Sequence, residues 1–113
     1  MKSVWYEELG PADDVLVFDE IETPDAGPGE VRVKLSASGV NPADVKRRGL
    51  GTYGLEYPRI IPNSDGAGIV DQVGDGVDPN LVGQRVWLFN GQRGGRAYGT
   101  AAEYIALDAW LVA

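Results

Sequence analysis

Glycine and proline interrupt this sequence throughout, with 16 and 7 residues respectively among 113. That is about a fifth of the chain, against ~12% in typical globular proteins. The breakers fall between short apolar runs, which leaves little room for long helices. Disorder does not fit either, because 43% of residues are hydrophobic, with three Trp and five Tyr. The pattern predicts one mainly β domain with many turns.

Read along the chain, residues 4–9 and 15–22 suggest strands closed by Gly10-Pro11 and Thr23-Pro24. Residues 25–29 are a turn by local chemistry. Residues 30–38 alternate cleanly, with Val31, Val33, Leu35 and Ala37 on one face and charged residues on the other. One convincing helix follows over residues 42–48. Asn41 suits its N-cap, Pro42 its first position and Asp44 its positive end. Lys46, Arg47 and Arg48 read as a solvated helix end, and Gly49 as the residue just past it. Residues 50–62 read as an extended loop. Residues 64–74 form a Gly-rich strand in which small residues imply close backbone approach or a sharp bend. Strands are predicted over 84–89 and 100–107, with a polar loop over 91–99 between them. A further element begins at Asp108. Trp5, Trp87 and Trp110 read most simply as core or packing residues.

Charge and composition exclude several functions. Ten basic residues against seventeen acidic ones give −7, which disfavours nucleic acid and anionic membranes and favours solubility. The chain has no Cys and no His. Disulfides, thiolate nucleophiles, Ser-His pairs and imidazole metal ligands are therefore absent, and no metal site is expected. No window approaches the ~18 apolar residues of a membrane span, and the acidic start is unlike a signal peptide. A cytoplasmic location is the expectation. Gly66-Ala67-Gly68 and Gly74-Asp75-Gly76 invite a dinucleotide-binding reading. Neither has the third glycine opening a helix, and Asp75 and Asp78 would repel a pyrophosphate, so these glycines read as structural.

A set of ordered motifs looks familiar. They are Ser38-Gly39-Val40-Asn41-Pro42-Ala43-Asp44, then Pro62-Asn63-Ser64-Asp65-Gly66-Ala67-Gly68, Val73-Gly74-Asp75-Gly76-Val77, Val82-Gly83-Gln84-Arg85-Val86 and Gly99-Thr100-Ala101-Ala102-Glu103-Tyr104. Together they resemble the medium-chain dehydrogenase/reductase superfamily, in its zinc-independent, zeta-crystallin-like quinone oxidoreductase branch. The resemblance implies a GroES-like fold, a distorted and partly open β-barrel with one or two short helices, over residues 1–113. It also implies a Rossmann cofactor domain outside this chain, so that the chain is one piece of a two-domain enzyme and inactive alone. In that family NADP(H) delivers hydride to a quinone, or to an enal or enone double bond. Full-length relatives usually form homodimers, and an isolated piece would tend to self-associate. A reading from another class is a stand-alone interaction module like the co-chaperonin that shares the fold. The Asn41-Pro42 and Ser64 to Gly68 motifs favour the enzyme.

The family pattern also gives the missing Cys and His a meaning. Asn41 stands where zinc-dependent relatives carry a Cys ligand. Ser64 stands where they carry a His, and Asp65 where they carry a Glu. The resemblance therefore implies a zinc-free mechanism, with Asn41 and Tyr53 as hydrogen-bond donors to the substrate, Asp44 as an orienting group, and Asn41 and Ser64 at the cofactor. Each has a plainer reading beside it: Asn41 as helix cap, Asp44 as partner of the helix dipole, Tyr53 as a loop aromatic shielding the core. Asp65 reads as structural, accepting bonds from loop amides or an arginine. Arg93 and Arg96 could meet a cofactor phosphate, but their loop reads as exposed.

Overall fold

The structure is a computed structural model and describes residues 1–51, 54–92 and 96–113. It is mainly β. The strands are β1 (Lys2–Trp5), β2 (Val17–Glu20), β3 (Glu30–Gly39), β4 (Asp65–Val73), β5 (Arg85–Leu88) and β6 (Tyr104–Asp108). A short α1 (Ala12–Val15) and the longer α2 (Pro42–Gly49) accompany them, with single 3-10 turns at Pro79–Leu81 and Ala109–Leu111. An antiparallel sheet runs β5-β4-β3-β6, and β1 and β2 form a separate hairpin-like pair. The two sheets do not close into a barrel among the described residues, as a partly open GroES-like architecture requires.

The alternation read in residues 30–38 builds the main core as far as Leu35; the register slip at Ser36 ends it, and Ala37 is exposed. Val31 and Val33 turn inward and cluster with Val70, Val86, Leu88, Ile105 and Leu107 from the other three strands of the sheet. Each such side chain, fully buried, contributes about 1.5–3 kcal/mol. Two smaller clusters, Trp5-Ile21-Ile61 and Tyr6-Val15-Ile60, tie β1 and α1 to the segment before β4. The β3–β4 register slips at Asp71 and again at Ser36. Bulges of this kind bend a strand and increase its twist. The first also aims Asp71 at Arg32, whose Nε donates to its Oδ1 at 2.9 Å.

Several element ends differ from the expectations. Residues 12–15 turn helically, because Pro11 caps a turn whose Asp13 and Asp14 favour a helix start. β6 begins at Tyr104, since Thr100 and Ala101 donate their N–H groups to Asn63 and Pro62 instead. Gly49 is still helical; the left-handed residue beyond the helix is Gly51, at φ 63°. The basic end of α2 is only partly a solvated face: Lys46 is exposed, but the two arginines turn inward. Arg48 donates to the Gly10 carbonyl at 3.0 Å, and the Arg47 side chain is only 13% exposed, 3.9 Å from Glu56. Trp5 is buried as expected, but Trp87 and Trp110 are 57% and 62% exposed. Nor is Arg96 free: its guanidinium donates to the Gly91 and Ala106 carbonyls and pairs with Glu30.

Tyr6 lies buried against Val15 and Ile60, and burial pushes its phenol above its ordinary ionisation range, with Arg47 and Arg48 pulling the other way. Folding thus favours the protonated phenol. That contribution is complete below pH ~10 and is lost as pH rises through the folded value. Urea midpoints followed upward from pH 9 should fall less in Tyr6→Phe than in the parent chain. An equal alkaline loss in both would show that Tyr6 does not report it.

Candidate functional site

The site forms where β3 ends, α2 begins and β4 begins. Gly39 and Asp65 are paired in register, so the chain two residues past Gly39 is brought back against the start of β4. There the Asn41 side-chain amide donates to Asp65 Oδ2 at 2.7 Å. The Asn41 backbone N–H donates to Asp44 Oδ2 at 2.8 Å. Asn41 is thus held by two carboxylates, one on its backbone and one on its side chain.

This division of labour bears out the cap reading and adds a second contact to it. Asn41 does occupy the N-cap position of α2, in extended backbone conformation. The well-formed half of the capping box comes from Asp44, which is buried and reaches back to the Asn41 N–H. The Asn41 side chain faces the Asp44 N–H and completes the capping box in looser geometry, while that N–H also bonds to the Asn41 carbonyl at 3.0 Å. The Nδ2 end of the same side chain reaches Asp65. Asp65 accordingly accepts from a side-chain amide, rather than from the loop amides or arginine expected of it.

Beneath Asp65 lies a row of polar groups that the sequence reading did not find. Asn63 Nδ2 donates to Ser38 Oγ at 2.9 Å, Ser38 Oγ meets Thr100 Oγ1 at 2.8 Å, and Thr100 Oγ1 donates to the Asp65 carbonyl at 2.8 Å. Thr100 is fully buried, and Asn63 nearly so. Asn63 adopts φ 75°, a left-handed conformation that Asn tolerates better than most residues. A lone Asn after a proline was the only local signal. Ser38 and Thr100 are 62 positions apart, so no local pattern could join them.

Ser64 precedes Asp65, and its carbonyl accepts the Gly91 N–H at 2.7 Å, which ties the following loop to the site. Tyr53 and Arg93 lie outside the described residues. A hollow of about 220 Å³ opens beside Asp44 and Asn63, with Val4, Leu16, Val40 and Val45 among its walls. Among the described residues, no three His, Cys, Asp or Glu side chains gather as metal ligands. The Gly66-Ala67-Gly68 run lies inside β4, so its glycines serve strand packing as expected.

Residues 27–113 match the alcohol dehydrogenase GroES-like domain. The chain belongs to that family. Along its whole length this GroES-like domain is 30% identical to an NADPH-dependent alkenal/one oxidoreductase of Arabidopsis thaliana, a chloroplastic protein of which it covers 30%. It is 34% identical to a quinone oxidoreductase of Rattus norvegicus, over 86% of the chain and 30% of that protein. Among solved structures, a Pseudomonas syringae quinone oxidoreductase superposes with a TM-score of 0.86 at 28% identity, over 99% of this chain and 32% of that one. The GroES-like domain therefore spans about a third of the length of these relatives. Quinone oxidoreductases and an alkenal reductase are the kinds of protein that the sequence motifs resembled. No helix of the described residues is long and apolar enough to cross a membrane.

Proposed function

We propose that this chain is the N-terminal catalytic-domain segment of a cytoplasmic, homodimeric, NADPH-dependent quinone oxidoreductase that works without zinc. The observation that carries the reading is Asn41 fixed between Asp44 and Asp65, at the position where zinc-dependent relatives carry a ligand. Asn41, Ser64 and Asp65 offer two neutral side chains and one carboxylate, a poor donor set for zinc. They suit hydrogen bonding to a neutral organic group.

NADP(H), when bound, supplies the hydride. Asn41 and Ser64 are the residues here assigned to its nicotinamide end. As hydride arrives at a quinone, negative charge grows on the carbonyl oxygen, and an oriented amide N–H stabilises it where water is excluded. Asn41 is that donor in this reading, with Tyr53 as a second. Asp44 fixes the backbone of Asn41 and hence where the amide starts from. The hollow beside Asp44 is smaller than the ~300–1,000 Å³ of ordinary ligand sites; in this reading its other walls, and the cofactor's phosphate site, belong to the Rossmann domain.

An enal or enone substrate is the second reading, favoured by the alkenal/one oxidoreductase that aligns with the whole chain. One assay separates them: NADPH oxidation by the complete protein with a benzoquinone and with an alkenal as acceptors. The 113-residue chain by itself should give no turnover with either. Robust NADPH oxidation by that chain would overturn the assignment of the cofactor site to a second domain.

A further inference from the structure

The side-chain amide of Asn41 has two ends of nearly equal shape and opposite hydrogen-bonding character. A donor to a developing oxyanion must present its NH2 end. Something must select that end, because a flipped amide would present a carbonyl oxygen and repel the charge it should stabilise.

We propose that Asp65 is a positioning residue whose carboxylate selects the orientation of the Asn41 amide; this rests on the reading of Asn41 as donor given above. An ionised carboxylate can only accept. Its contact with Asn41 Nδ2, at 2.7 Å, has the length of a charge-assisted hydrogen bond. Flipping the amide would set Oδ1 against Oδ2, two acceptors face to face, and lose the bond as well. Nδ2 carries two hydrogens. Asp65 engages one, and the other is the one to be offered to the substrate.

A positioning residue must itself be held, and Asp65 is held from below. The amide of Asn63 can only donate through Nδ2, so Ser38 accepts from it and passes its own hydroxyl hydrogen to Thr100. Thr100 in turn donates to the Asp65 carbonyl. Every hydrogen in the row then points one way, towards Asp65. The in-register pairing of Asp65 with Gly39 fixes the same residue from the side. The row thus fixes the Asp65 backbone, from which the carboxylate reaches Asn41 Nδ2.

A double-mutant cycle in the complete protein tests this. Asp65→Ala should lower kcat about tenfold or more, as loss of an orienting partner commonly does, while KM for NADPH changes less than about threefold. In an Asn41→Ala background the same substitution should change kcat less than about twofold, since no amide is left to orient. An equal loss in both backgrounds would overturn the proposal, because a merely structural role does not depend on Asn41. Asp65→Asn keeps an acceptor oxygen and the shape of the side chain, so it should recover part of the loss; no recovery in a folded variant also overturns it. A nuclear magnetic resonance measurement on the 113-residue chain separates this proposal from the enzymatic reading. One Asn41 Nδ2 proton should be shifted downfield and exchange slowly, and both effects should vanish in Asp65→Ala. If that signature is present but Asn41→Ala leaves kcat intact, the donor role fails and the positioning role with it, although the contact stands. If Asn41→Ala is slow and the signature is missing, the positioning proposal alone fails.

Discussion

Gly68→Ala should remove a large part of the chain's stability. A Cβ at this position would sit 2.0 Å from the Lys34 carbonyl oxygen and 2.9 Å from the Leu35 Cα. Both are backbone atoms of β3, and no rotamer change moves them. β4 cannot retreat, because Gly68 is also paired with Val86 of β5 on its other side. Relief would require separating β3 from β4, the pair that holds Val31, Val33 and Val70 in the core. A cost of about 4 kcal/mol or more is expected, at the extreme of single substitutions, against a total stability of ~5–15 kcal/mol. Urea unfolding checks it, with Gly49→Ala as the control. An added Cβ at Gly49 meets nothing within 4 Å, and the residue is helical, so alanine should be neutral or stabilising by up to about 1 kcal/mol. Equal midpoints for the two variants would contradict the close approach of β3 and β4.

Asn41→Ala should lower kcat of the complete protein about a hundredfold, the scale on which loss of one oriented donor is felt. Its effect on stability should be modest, about 1–2 kcal/mol. Alanine keeps the backbone N–H that Asp44 accepts, so that half of the capping box survives. Asp65 is only half-buried, so water can replace the lost amide. Thermal melts and steady-state kinetics on the same preparation decide the matter. A large loss of melting temperature with kcat unchanged would make Asn41 a structural residue and remove the main support for the proposed chemistry.

Much of the fold was legible because it is set locally. Alternation along residues 30–38 requires a half-buried strand, and Asn41-Pro42 followed by Asp44 requires a helix start; both are present. The small residues after Asp65 announced a close approach, and Gly68 is where it occurs. Other features were not legible because their causes lie far away in the chain. Thr100 leaves its expected strand because Asn63 offers a carbonyl. Arg48 turns inward because the Gly10 carbonyl is there to receive it. Trp87 and Trp110 are exposed because the described residues leave the faces that carry them largely uncovered, and hydrophobicity alone does not say which face will be covered.

The candidate site divides along the same line. Sequence by itself determined which chemistry is present: Asn41, Ser64 and Asp65 at three motif positions, no Cys, no His, and a short helix opening beside Asn41. Only the tertiary structure decided which atoms meet. The Gly39–Asp65 pairing delivers a carboxylate to the Asn41 amide, while Asp44 secures the Asn41 backbone. The physical reason is that propensity and side-chain chemistry are properties of a residue and its near neighbours. A hydrogen bond between residues 24 positions apart exists only once strand register has fixed both ends.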